Sequence, residues 1–215
     1  MDISRQDRSM LIIVVAALVL FPVMFRFQGI GWFDFWWWMS SNLVVILFLS
    51  TLLLRGHCRV LAGDFSRHLP SKLLLGLGSA VLLYLIFLLG NYLSGILIPG
   101  AAGSIDSIYH FKGNASALRI LILMMLVIGP GEELFWRGVL QHHLMEKFGP
   151  YPGYLLATLL YALVHVLTGN FMLIMAALVA GIFWGWMYLR FRSIAANVVS
   201  HVVWDIAIFL VLPIT

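Results

Sequence analysis

Glu132 and Glu133 stand side by side in Gly-Pro-Gly-Glu-Glu-Leu-Phe-Trp-Arg-Gly-Val-Leu (129–140), four residues before Arg137 and inside a nearly unbroken apolar stretch. Two later apolar stretches carry His165 and the pair His201 and Asp205. A charge at bilayer depth costs roughly 2.5–3.5 kcal/mol on insertion scales, so ionisable groups placed there are rarely idle. A carboxylate and imidazoles can activate a water and stabilise an oxyanion, the two needs of peptide hydrolysis. The same mixed set, Glu132, His165, His201 and Asp205, is also chemically able to hold a divalent ion such as zinc, although no His-Glu-x-x-His is present. On a helix Glu133 and Arg137 are i,i+4 and can pair, which points Glu132 about 100° away and leaves it free. His201 and Asp205 repeat the i,i+4 spacing, with Asn197 one turn earlier, and so do Tyr161 and His165.

These residues must be held by membrane helices. The 215 residues are 62% hydrophobic and 10% charged, against about 25% charged in a soluble domain. The chain is expected to be one all-α, polytopic membrane domain over 1–215, with no room for a separate soluble domain. Seven spans are expected near 10–27, 36–54, 73–97, 117–146, 153–168, 171–190 and 194–213, within a range of six to eight. The first begins after Arg5 and Arg8 and lacks a small-x-small cleavage site, so it reads as an uncleaved span rather than a signal peptide. Gly129-Pro130-Gly131 is expected to kink or restart the fourth.

Loop charge sets the orientation. With the N-terminus cytoplasmic, the inner side holds Arg5, Arg8, Arg55, Arg59, Arg67, Lys72, Lys147, Arg190 and Arg192. The outer side holds Arg26, Lys112 and Arg119, an asymmetry that the positive-inside rule assigns to an N-in chain. At about 1.5 Å per residue, Glu132, His165 and Asp205 then lie roughly 22, 18 and 17 Å from the cytoplasmic ends of their spans, so they can meet.

Other features suggest no chemistry of their own. Cys58 is the only cysteine, so no intrachain disulfide forms. Trp32, Trp36, Trp37 and Trp38 suit an outer aromatic belt. His142 and His143 fall at the inner interface, and His57, His68 and His110 in loops. Gly181 and Gly185 permit close packing within the bundle. The basic residues sit between spans, which does not suggest nucleic-acid binding. Nothing in the chain fixes an oligomeric state.

Glu-Glu-x-x-x-Arg (Glu132, Glu133, Arg137), aromatic-x-x-x-His (Tyr161, His165) and His-x-x-x-Asn/Asp (His201, Asp205), in that order on successive membrane helices, resemble the CPBP family. These are the CAAX protease and bacteriocin-processing (Abi) intramembrane endopeptidases. The resemblance covers roughly 115–210; residues 1–100 carry no motif of it. It implies a glutamic-type protease without a metal cofactor. Glu132 would act as general base on a water shared with His165. His201 with Asp205 would polarise the scissile carbonyl. Glu133 and Arg137, with Asn197 and Tyr161, would give structural support. Two positions depart from the usual pattern: Tyr161 replaces Phe, and Asp205 replaces Asn. An Asn donates to an oxyanion whereas an ionised Asp cannot. Asp205 therefore carries a proton, orients His201, or binds water.

The implied substrates are membrane-anchored or membrane-inserted polypeptides: CAAX-type tails, leader peptides or C-terminal sorting signals. The implied location is the prokaryotic plasma (inner) membrane, with the lipid bilayer as surroundings. Two other readings use the same buried polar cluster. One is a proton or small-ion transporter, which the short chain without repeated halves disfavours. The other is a non-catalytic peptide-binding or immunity protein, which would tolerate Glu132→Gln.

Overall fold

A computed structural model of the chain describes residues 5–54, 64–65 and 68–214. His57, Cys58 and three of the inner-side arginines (Arg55, Arg59 and Arg67) lie outside the described residues. Eight helices account for nearly all of what is described: α1 (Arg5–Phe27), α2 (Phe35–Leu53), α3 (Leu69–Leu97), α4 (Ala101–Tyr109), α5 (Ala117–Phe148), α6 (Pro150–Leu163), α7 (Phe171–Phe191) and α8 (Ile194–Ile206). A short turn carries α6 on to Thr168, and a widened turn carries α8 on to Val211. Six are long and apolar enough to cross a membrane, and the short α4 with α5, which meet at a 90° bend, make a seventh candidate when taken as one span. The expected all-α, polytopic bundle is what the chain forms, with six to seven candidate spans.

Capping chemistry sets several helix starts. The Asp34 side chain accepts from the backbone N–H of Trp36 and Trp37 and so opens α2. Ser116, Asn170 and Ser193 cap α5, α7 and α8 in the same way. A two-residue antiparallel pairing, β1 (Gly29–Ile30) with β2 (Phe33–Asp34), joins α1 to α2. Gly31 supplies the left-handed φ of +61° that this tight turn needs. Arg119 at the start of α5 reaches Asp34 and clasps this connection to the bundle.

The helix through Gly129-Pro130-Gly131 runs on without a fresh start there. Widened turns at Met124–Ile128 and Glu133–Gln141 flank the segment. They shift the hydrogen-bond register and absorb the proline without ending the span. The two glycines serve packing instead. A Cβ on Gly129 would stand 2.6 Å from Val202 Cγ2 on α8, and one on Gly131 would stand 3.3 Å from Leu43 on α2. Gly181 and Gly185 of α7 likewise abut Thr158, Tyr161 and Tyr154 of α6, a contact within the bundle. At the α5–α6 connection a Cβ on Gly153 would lie 2.3 Å from the backbone nitrogen of Met145. Backbone cannot yield as a side chain can, so Gly153→Ala is expected to cost about 1–3 kcal/mol. Thermal unfolding in detergent would register this as a lowered midpoint, whereas an unchanged midpoint would mean that the connection relaxes freely.

Apolar side chains gather in two main cores. One joins α1, α2 and α5 through Ile13, Phe21, Leu43 and Phe135; the other joins α3, α7 and α8 through Leu83, Trp184 and Ala196. Phe209 packs against both. The polar residues of the three motifs lie at the seam between them.

Candidate active site

Glu132, Tyr161, His165, His201 and Asp205 line one cavity of about 120 Å³, enough for several waters. Each carboxylate and imidazole there is at least nine-tenths buried. The structure thus brings together all four residues expected to do chemistry, from α5, the turn after α6, and α8.

Glu132 is reached through the unbroken α5. Its Oε2 accepts a hydrogen bond from the Tyr161 hydroxyl at 2.8 Å. The other oxygen has no hydrogen-bond partner among the described residues. Tyr161 is the position at which the family motif usually has Phe, so this bond is a consequence of that departure.

His165 lies just past the end of α6, in the turn that leads to α7, rather than within a helix. Its Nδ1 is 2.8 Å from the Tyr161 carbonyl oxygen. A carbonyl only accepts, so Nδ1 carries the proton and Nε2 is left for a water or substrate. The Phe25 ring packs on the imidazole at 4.5 Å between centroids.

His201 is held between two carboxylates. Its Nδ1 donates to Glu133 Oε1 at 2.7 Å, and its Nε2 stands 3.6 Å from Asp205 Oδ2. The second separation is ion-pair range and too long for a hydrogen bond. The Trp184 ring stacks on the imidazole, with centroids 3.8 Å apart and planes 19° from parallel. Trp184 Nε1 donates to Ser200 Oγ at 3.1 Å, which pins α7 to α8.

Glu133 is the hub of the site. Besides His201 it accepts from Arg137 Nη1 at 2.9 Å and from Asn197 Nδ2 at 3.0 Å. The Glu133 and Arg137 side chains are 0% and 2% exposed, so each charge depends on the other for compensation. The Arg137 guanidinium also lies over the Tyr161 ring at 4.8 Å and near the Trp184 ring at 5.6 Å. Asn197 donates a second bond, to the Trp184 carbonyl at 2.8 Å. The i,i+4 spacing pointed to the Glu133–Arg137 pair. The longer reach of Glu133 to His201, across 68 residues, had no sequence signal.

Sequence reasoning also misplaced one tryptophan. Trp36 is 2% exposed and lines the cavity, whereas Trp32, 84% exposed, has the exposure a belt residue needs. Trp36 was grouped with Trp32, Trp37 and Trp38 because the four are close in sequence, but α2 turns this one ring inward. The indole N–H groups of Trp36 and Trp204, both on the cavity wall, have no hydrogen-bond partner among the described residues. His142 bonds Tyr188 near the opposite end of the bundle. There His143 is buried 3.5 Å from Asp7. His68 and His110 lie away from the cavity. Among the described residues, no three His, Cys, Asp or Glu side chains come together in a cluster suited to a metal ion.

No curated protein and no solved structure matches the chain. Residues 114–207 match the family model described as Type II CAAX prenyl endopeptidase Rce1-like. That match spans all three motifs and every residue placed above on the polar part of the cavity. Over residues 114–207 the chain is therefore similar to this family of CAAX-type membrane endopeptidases, in line with the resemblance of its motifs.

Proposed function

We propose that the protein is an intramembrane endopeptidase of the glutamic type, with Glu132 as its general base. The observation that carries this reading is the convergence of Glu132, His165, His201 and Asp205 on one buried cavity inside a membrane bundle. Glu132 takes a proton from a water that His165 holds through Nε2. The water attacks the scissile carbonyl, and the proton passes from Glu132 to the leaving amine. His201 stands beside the carbonyl and stabilises the oxyanion through Nε2 when that nitrogen is protonated. Glu133 fixes the His201 ring by accepting from Nδ1, and Arg137 keeps Glu133 ionised and in place. Asp205, beside Nε2, favours the protonated imidazole instead of donating to the oxyanion itself. The indoles of Trp36 and Trp204 are donors without partners on the same wall, available to a substrate carbonyl.

The substrates are membrane-associated polypeptides, and CAAX-type tails, leader peptides and C-terminal sorting signals are the classes to compare. The test is a census of new peptide termini in membranes expressing wild type or Glu132→Ala, with and without a strong chelator. Termini that require Glu132 and survive chelation are expected. Their loss under chelation would replace the glutamic mechanism with a metal-dependent one, and no difference between the two proteins would favour a binding or transport role.

Two substitutions probe the family departures. Tyr161→Phe removes one hydrogen bond to a carboxylate, worth about 1.5–3 kcal/mol. It is expected to leave the fold intact and to change kcat by about tenfold at most, because the ring that supports Arg137 is retained. Asp205→Asn is expected to keep activity, since an amide at this position can donate to the oxyanion directly. Complete inactivation by Asp205→Asn would assign Asp205 an acid–base role instead.

A further inference from the structure

The cavity lies at one end of the bundle. Its walls include Phe25 near the end of α1, Phe35 at the start of α2, Phe111 before α5 and Leu173 at the start of α7. The α1–α2 hairpin and the α6–α7 connection lie at this end. The opposite end is tied by Lys147 to Asp7 at 2.7 Å, and by Asp64, which accepts from Ser193 Oγ and the Ala195 N–H and pairs with Lys72. Lys72, Lys147, Arg190 and Arg192 belong to that opposite end, whereas the cavity end has Arg26, Lys112 and an Arg119 neutralised by Asp34. By the positive-inside rule the basic end is cytoplasmic, and the cavity belongs to the outer half of the membrane.

Two further features are concentrated at the cavity end. The first is α4, which meets α5 at a 90° bend. Asp106 and His110 are exposed on one side of it, whereas Ile105 and Ile108 turn inward, as in an interfacial amphipathic helix. Asn170 holds it through bonds to the Ser104 carbonyl and the Ser107 hydroxyl, and Tyr109 accepts from the Ile214 N–H. The second is a chamber of about 410 Å³ under α4, between the last turns of α3 and the first of α7. It shares Ile108, Leu173, Ala176, Trp204 and Phe209 with the catalytic cavity, and its lining is almost wholly apolar.

We infer that the enzyme works from the extracytoplasmic face. Its substrate is a polypeptide whose scissile bond lies in the outer leaflet, with the apolar residues beside that bond seated in the α3–α7 chamber. This rests on the endopeptidase reading and narrows it. An extracytoplasmic sorting signal or leader segment reaches such a site directly, whereas a cytoplasmic tail would have to cross the bilayer. The wall of Ile108, Leu173, Ala176, Trp204 and Phe209 that the chamber shares with the catalytic cavity is what points to substrate as its occupant rather than a passing lipid.

Three measurements test this on the full chain. In a Cys58→Ser background, Gly103→Cys on the exposed side of α4 and Glu146→Cys at the opposite end are treated with a membrane-impermeant maleimide. In intact cells the first is expected to label at least tenfold more than the second, and both should label after permeabilisation. The reverse pattern overturns the proposal while leaving the endopeptidase reading untouched. Glu132-dependent termini are then mapped on their proteins. Extracytoplasmic positions are expected, and cytoplasmic ones overturn the proposal. If no such termini exist, the endopeptidase reading fails and the substrate assignment with it, whatever the labelling shows. Finally, Gly90 lines the chamber and a Cβ there would meet nothing within 4 Å, so Gly90→Phe adds bulk at the chamber wall where a first carbon has room. It is expected to lower cleavage at least tenfold at an unchanged unfolding midpoint; undiminished cleavage would remove the chamber from the substrate path.

Discussion

Glu132→Gln is expected to leave a folded, membrane-inserted protein whose cleavage rate falls by about 10²- to 10⁴-fold, the usual contribution of a positioned general base. The side chain keeps its volume, and its amide oxygen still accepts from the Tyr161 hydroxyl, which donates to Oε2 at 2.8 Å in the wild type. Packing at the seam is therefore preserved, and what disappears is the basic oxygen that takes the proton from water. Turnover of a substrate found in the termini census, assayed in proteoliposomes beside wild type, measures the loss. A variant retaining more than about a tenth of the rate would move the base elsewhere in the cavity. His165→Ala serves as the partner experiment, since it removes the other holder of the water and should give a loss of similar order.

Glu133→Ala is expected to act on stability as much as on rate. Three donors converge on this carboxylate: Arg137, Asn197 and His201. Deleting it strands a guanidinium that is 2% exposed, with two aromatic faces as its remaining neighbours. Removing one partner of a buried ion pair costs about 3–5 kcal/mol. For a chain of this size that corresponds to a fall in the unfolding midpoint on the order of 10 °C. Thermal denaturation in detergent, followed by helix signal or by aggregation, reads it out. Glu133→Gln should fall between wild type and Ala in stability, because an amide oxygen still accepts from Nδ1 of His201 but no longer balances Arg137. If Glu133→Ala unfolds at the wild-type temperature, the Glu133 carboxylate is not what holds α5 to α8. The two glutamates thus predict different signatures from adjacent positions, one in rate at constant stability and one in both.

The polar set, its order along the chain and an all-α, polytopic architecture were legible in the residues alone. Glu132, His165, His201 and Asp205 stand out because a bilayer penalises such groups, so their presence in apolar stretches is a signal independent of the fold. Local i,i+4 geometry also revealed the Glu133–Arg137 pair, since one helical turn suffices to make it. Span lengths followed from the thickness of the hydrocarbon layer, and the helices lie within a few residues of those expectations.

Tertiary structure alone decided which side of each helix faces the site. A soluble helix advertises its buried face by amphipathicity, but lipid is as apolar as a protein core, so a membrane helix carries no such stripe. Nothing local therefore distinguished Trp36, turned into the cavity, from its neighbour Trp37, which is 39% exposed. The same cause hid the stacking of Trp184 on His201, the convergence on Glu133 from a helix more than sixty residues away, and the apolar chamber under α4. At Gly129-Pro130-Gly131 local rules allowed a fresh helix start that the structure does not make. Widened turns and the close approach of Val202 and Leu43 accompany a continuous α5 there, and it is that continuity which presents Glu132 to the two histidines.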